Sequence, residues 1–318
     1  MDIYRYFDTG NGQHSESNAY LLALPAYYIY DKADKTRKTI PGRRSFHIKV
    51  ENLFQSLSSG DKFTFKFMRQ GTAEAGILYN SKLVIVVFRG TDDDANNFEY
   101  WSPKVGNMNY KMIRVRRLWG VGRVHEGFYK ALSPLYNSVR NEIHNRLKSG
   151  NKTLYFTGHS RGAALATLCA YGYRAENDNA EVGGIYLFGS PRVGDAVFNK
   201  EYDRLGLSRK TFRWVKYRDF ANQFPDYTSS LPRYRKTTNR YYHVGNLNYI
   251  NRKGQISMMH KNPDYEPGYG SSSLNDHRMD KYCLAMFNRL STKKRINSTN
   301  PNELTKHDLK SALPVNPG

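Results

Sequence analysis

The chain has 318 residues and a formal net charge of +21, set by 49 Lys and Arg against 28 Asp and Glu. Hydrophobic residues make up 39% and there are 25 tyrosines, enough to bury a sizeable core in one large domain or two small ones. Two cysteines exclude a disulfide framework, and no run of 18 apolar residues offers a membrane-spanning helix.

The first residues, MDIYRYFDTGNG, lack the apolar segment of a secretion signal. The default expectation is therefore cytoplasmic, with export by another route left open. Asn18–Tyr30 is apolar enough for a buried helix, broken or kinked at Pro25. Phe46, Val50, Leu53, Phe54 and Leu57 form a helical stripe. Lys62–Met68 alternates as a half-buried strand, with Ala75–Tyr79 as its neighbour. Lys82–Phe88 is continuously apolar, as expected of a central strand covered on both faces, and ends in Arg89-Gly90-Thr91. Residues 92–124 are irregular and hold Phe98, Trp101, Met108 and Trp119, with a basic strand-like run from Tyr110 to Leu118. An amphipathic helix follows His125 and is closed by Gly150.

Thr153–Ala170 reads as a strand, then Gly158-His159-Ser160-Arg161-Gly162, then a helix opening on alanines. Further strands are expected at Gly184–Phe188 and Thr211–Tyr217, a short antiparallel addition at Tyr241–Val244 and Asn248–Ile250, and a helix at Asp276–Leu290. Cys169 and Cys283 fall in helices and read as buried thiols. Strands alternating with helices indicate a mostly parallel sheet with helices on both faces. A single domain over 1–290 and a polar, disordered tail over 291–318 complete the expectation.

A G-x-S-x-G turn between a strand and a helix is a nucleophile elbow. Its glycines leave room for a turn too tight for a Cβ, and the helix start behind Ser160 favours a developing oxyanion. An elbow serine needs a base, an orienting carboxylate and an oxyanion hole, and in this arrangement the chain order is Ser, acid, His. Asp219 follows a strand. Asp195, Asp203 and Asp226 fall in turns or a helix and read as solvated or capping groups. Of the later histidines, His243 reads as structural, His260 and His307 lie in loosely fixed segments, and His277 sits where loop meets helix. The N–H of Arg161 and the N–H and hydroxyl of Thr91 are the candidate oxyanion donors.

The segments VVFRGT (Val86–Thr91), VHEGF (Val124–Phe128), FTGHSRGAALA (Phe156–Ala166), FGSPRVGD (Phe188–Asp195), RDFANQFP (Arg218–Pro225), YYHVG (Tyr241–Gly245) and DHRMDKY (Asp276–Tyr282) resemble, in order, the class 3 (fungal-type) lipases. The resemblance implies an α/β-hydrolase fold, Ser160 as nucleophile, Asp219 as orienting acid, His277 as base, and Thr91 with Arg161 as oxyanion donors. It also implies structural roles for His125 and His243 and a lid at about 92–123, with neither cofactor nor metal. Arg161 stands where the family usually has Leu, and Ala163 where it has Gly. The usual Asp-x-Val-Pro becomes Asp219-Phe220-Ala221-Asn222, and the loop after Thr91 lacks the usual Trp-x-x-Asp spacing. These departures bear on substrate and lid, since every catalytic group remains.

Lys104–His125 carries six Lys or Arg and no acid, and Tyr227–Pro263 carries seven and none. Such stretches are solvated surface or a means of docking on anionic lipid. Nucleic acid ranks below both, because no nucleic-acid-binding motif accompanies the charge. The expected activity is hydrolysis of lipid carboxylic esters, triacylglycerol lipase-like, with a phospholipase A1-type activity on anionic membranes as the alternative. A narrower esterase for small soluble esters and a non-enzymatic anionic-lipid binder are the remaining readings.

Overall fold

The computed structural model of the chain describes residues 7–9, 14–30, 61–91, 111–115, 121–148, 150–177, 181–225, 240–259 and 273–296. Leu83–Phe88 (β3) is apolar and buried at every position, which requires cover on both faces. Ala73–Tyr79 (β2) pairs with it antiparallel, with Thr64–Gln70 (β1) outside. On the other side Thr153–His159 (β6), Val182–Phe188 (β7), Thr211–Lys216 (β8) and Asn246–Ile250 (β9) run parallel to it, and Ile256–Met259 (β10) closes the edge antiparallel. Among the described residues the resulting sheet has eight strands with a parallel centre. Met112–Arg114 (β4) and Arg123–His125 (β5) form a separate ribbon.

Side chains of β3 alternate between two cores. Leu83, Ile85 and Val87 pack with Glu16–Tyr28 (α1) and Met279–Ile296 (α6). Val84, Val86 and Phe88 pack with Glu126–Leu147 (α2), Arg161–Glu176 (α3) and Ala196–Arg204 (α4). This is the α/β-hydrolase fold expected from the sequence, with helices on both faces. Helix α3 lies close on the sheet because Ala163, Ala164, Ala166 and Ala170 present no bulk and are fully buried. Cys169 and Cys283 are buried free thiols.

Three local expectations are corrected. Pro25 does not break α1, which runs on to Tyr28 from a Ser15 cap. Residues 18–26 of that helix are all buried, and this burial outweighs the roughly 3 kcal/mol that a proline costs inside a helix through its lost hydrogen bond and ring clash. Tyr241–Val244 is no strand. The strand after β8 is β9, parallel to β8, because the long connection returns the chain to the same end of the sheet. The helix expected at Asp276–Leu290 is two: Leu274–His277 (α5) and α6, separated by an extended Arg278. Helix α6 also runs past the expected domain end, to Ile296. The stripe at Phe46–Leu57, most of the segment at 92–123, Asp226, His260, His307 and the tail beyond 296 lie outside the described residues.

Candidate active site

The loops at the carboxyl ends of β3, β6, β7 and β8 bring the sequence-predicted groups to one end of the parallel strands, where open α/β sheets bind ligands. Ser160 follows β6 directly and takes φ 58° and ψ −129°, a backbone few non-glycine residues adopt. Its N–H donates to the Phe188 carbonyl at 2.9 Å, tying the turn to the end of β7. A Cβ on Gly158 would lie 2.5 Å from the Gly162 backbone, and one on Gly162 would lie 2.2 Å from the Phe88 carbonyl oxygen. Neither position tolerates a side chain, and the second contact shows how closely the start of α3 abuts the end of β3. Arg161 opens α3, and the N–H groups of Ala163 and Ala164 turn back to the Ser160 carbonyl at 3.0 and 3.4 Å.

Thr91 lies two residues beyond Arg89, which is fixed by its N–H to the Glu74 carbonyl at 3.1 Å and by its Nη1 to Glu74 Oε2 at 2.9 Å. Among the described residues the Thr91 hydroxyl, a buried atom, has no hydrogen-bond partner. A buried hydroxyl left unmatched is costly and commonly marks a functional position. The Arg161 guanidinium turns toward the β1–β2 turn, where Nη2 donates to the Thr72 carbonyl.

Asp219 and His277 come together from 58 residues apart. His277 Nδ1 lies 2.8 Å from Asp219 Oδ1, and both residues are buried. The same Oδ1 accepts the Ala221 N–H at 2.8 Å, as Asp219 caps a short turn at Phe220–Gln223. Oδ2 accepts the Tyr282 hydroxyl at 2.5 Å. The Lys216 N–H donates to that hydroxyl at 3.0 Å. Burial and the adjacent Asp219 push the Tyr282 hydroxyl well above its ordinary range, so it stays a donor. Helix α5, which carries His277, is capped by Ser273 and joined to β8 by an ion pair between Asp276 and Lys216. Phe220 packs edge-on against the His277 ring, centroids 4.6 Å apart. Ser160 Oγ makes no hydrogen bond to His277 among the described residues; such bonds are often long before substrate binds.

Sequence reasoning missed two members of this corner. Tyr282 sits five residues beyond His277, a spacing that carries no signal until the break at Arg278 is known. Gly189 takes φ +54°, and a Cβ there would lie 2.5 Å from Asp219 Oδ2 and 2.9 Å from His277 Nδ1. The glycine after Phe188 was the available clue.

The remaining candidates have other duties. Asp195 caps α4 through the Phe198 N–H at 2.9 Å and pairs with Arg123. His125 caps α2, its Nδ1 accepting the Gly127 and Phe128 N–H groups. His243 is buried, with Nε2 2.8 Å from the Asn222 carbonyl. Burial holds His125 and His243 below the ordinary imidazole range, so both stay neutral. No group of three His, Cys, Asp or Glu able to hold a metal occurs among the described residues. Among them, too, no helix is long and apolar enough to cross a membrane.

The sequence pattern of the Lipase (class 3) family matches residues 85–228. A chloroplastic phospholipase A(1), DAD1 of Arabidopsis thaliana, is 38% identical over 29% of this chain and 21% of its own length. A lipase of Rhizomucor miehei is 26% identical over 46% of this chain and 38% of its own. The chain thus spans between about a fifth and two fifths of these curated relatives. The structure of lipase II from Rhizopus niveus superposes with a TM-score of 0.61 at 19% identity, covering 82% of this chain and 92% of that one.

Proposed function

We propose that this chain, a class 3 lipase by family and an α/β-hydrolase by fold, is a serine hydrolase that cleaves carboxylic esters of lipids through an acyl-enzyme. The observation that carries the proposal is the buried Asp219–His277 pair beside a serine held in a strained elbow. In this reading Ser160 Oγ attacks the ester carbonyl while His277 Nε2 takes its proton. Asp219 keeps Nδ1 protonated and offsets the imidazolium charge. The oxyanion is received by the Arg161 N–H and by Thr91, whose buried hydroxyl has no other partner among the described residues. Collapse expels the alcohol with the proton from His277. Water, activated by the same imidazole, then releases the acid.

The acyl portion is expected to be apolar, with lipid rather than small soluble esters as substrate. The net charge of +21 favours work at anionic surfaces, phospholipids included, and a phospholipase A1-type activity is the second reading. That reading rests on the overall charge and on the acid-free basic stretches at 104–125 and 227–263.

Rates on triacylglycerol, monoacylglycerol, phospholipid and p-nitrophenyl esters, on neutral and anionic interfaces at low and high salt, separate these substrates. Ser160→Ala should abolish hydrolysis and labelling by a fluorophosphonate, about 10⁶-fold in kcat, with Tm unchanged. Residual turnover well above background in that variant would reject the mechanism.

A further inference from the structure

His159, the residue before the candidate nucleophile, has no exposed surface and no role in the chemistry just described. Both of its ring nitrogens are nevertheless engaged. Nε2 lies 2.6 Å from the backbone carbonyl oxygen of His277, and Nδ1 lies 2.9 Å from the Tyr30 hydroxyl. A carbonyl oxygen only accepts, so Nε2 carries the hydrogen. Nδ1 of that neutral ring then accepts, and Tyr30 donates. One tautomer alone satisfies both contacts.

Tyr30, just beyond the end of α1, touches more than His159. A Cβ on Gly90 would lie 1.9 Å from its hydroxyl, and the Arg89 guanidinium sits 5.8 Å from its ring centroid. This hydroxyl therefore stands between the turn carrying Thr91 and the strand carrying Ser160. Through His159 it reaches the backbone of His277. The three segments meet from residues far apart in sequence, and no strand pairing joins α5 to β6.

We propose that Tyr30 and His159 form a positioning pair, in which Tyr30 fixes the His159 tautomer and His159 Nε2–H holds the His277 backbone against the nucleophile strand. The proposal rests on the hydrolase reading above and adds to it a reason for the imidazole before Ser160. Burial and the nearby His277 ring, 4.4 Å away between centroids, keep His159 well below its ordinary range and hence neutral. The other titratable groups facing it are Tyr30 and Tyr282, both hydroxyls, with Asp219 behind His277. A base displaced by about 1 Å loses about 100-fold in rate, so the expected effect lies in kcat.

The test compares Tyr30→Phe, His159→Leu and His159→Gln with the wild-type full chain. Readouts are kcat and KM on a p-nitrophenyl ester, fluorophosphonate labelling of Ser160, Tm, and the low-field NMR resonance of the His277 Nδ1–H. Tyr30→Phe should lower kcat and labelling several-fold, and His159→Leu by about 10- to 100-fold, with KM near wild type. His159→Gln, which can still donate to the His277 carbonyl, should recover most of that loss. In Tyr30→Phe and His159→Leu the resonance should broaden or disappear. Equal rates for His159→Gln and His159→Leu would overturn the proposal. So would Tyr30→Phe with wild-type kcat, labelling and resonance, and this variant decides the matter if His159→Leu does not fold. A wild-type chain inert to both ester and fluorophosphonate would reject the hydrolase reading instead, and the resonance would still decide the positioning claim.

Discussion

The elbow at Ser160 and the corner formed by Asp219 and His277 sit side by side, yet different forces hold them. The elbow is built from backbone against backbone: Gly158 against Gly162, and Gly162 against Phe88. Its geometry follows from the absence of side chains and leaves no slack. The corner is built from side-chain hydrogen bonds contributed by β8, the turn after it, α5 and α6. Each of its bonds can be removed singly. The difference teaches that the elbow should fail by steric collision, affecting stability, and the corner by graded loss of rate.

The sharpest test of that contrast is Asp219→Asn. An amide in place of the carboxylate leaves the shape intact but favours the wrong His277 tautomer, and kcat should fall about 10⁴-fold with little change in Tm. A loss below about tenfold would mean that another group orients the base. On the elbow side, Gly162→Ala sets a methyl against the Phe88 carbonyl and should cost about 3 kcal/mol or more of stability, read as a lower urea midpoint. An unchanged midpoint with unchanged activity would show that the elbow has slack after all.

Acid should weaken the frame around both regions. His125 titrates at about 4 when folded, against 6.5 when free, chiefly because of burial. Between these values the unfolded chain binds the extra proton, so stability is complete above about pH 6.5 and declines as pH falls toward 4. The contribution is on the order of 3 kcal/mol, and His159 and His243 shift in the same direction. Urea midpoints at pH 7 and pH 4.5 should differ accordingly, and His125→Asn, which keeps a capping oxygen, should flatten the difference. The smallest effect belongs to Tyr282→Phe. Removing one of three donors to Asp219 should lower kcat about tenfold, with KM unchanged. A shift in KM alone would assign Tyr282 to substrate contact.

Local features were legible in the sequence. β3 announced itself by six consecutive apolar residues, α3 by its alanines, and the elbow by two glycines at fixed spacing, because each depends on neighbours a few residues away. Chain order narrowed the acid and base to Asp219 and His277, which the fold brings to 2.8 Å. Features set by distant packing were not legible. Pro25 signals a helix end, but burial of α1 overrides it. The direction of β9 depends on where its long connection returns, and nothing in Asn246–Ile250 encodes that. His159 looked like part of a turn motif because its partners, Tyr30 and the His277 carbonyl, lie 129 and 118 residues away.

Helices α1 and α6, from opposite ends of the described chain, cover the same face of the sheet. Tyr20 meets Phe287, Arg289 pairs with Glu16, and Cys283 lies against the Ala23 carbonyl. During synthesis, therefore, the elbow and its strands leave the ribosome more than 100 residues before the helix that covers their second face. Until then α1 has no α6 to pack against, and Asp219 lacks both His277 and Tyr282. On the proposed reading, a half-made chain holds Ser160 without His277. Hydrolytic competence, on that same reading, waits until α5 and α6 have been made, and until then the face of α1 that α6 covers is without that cover.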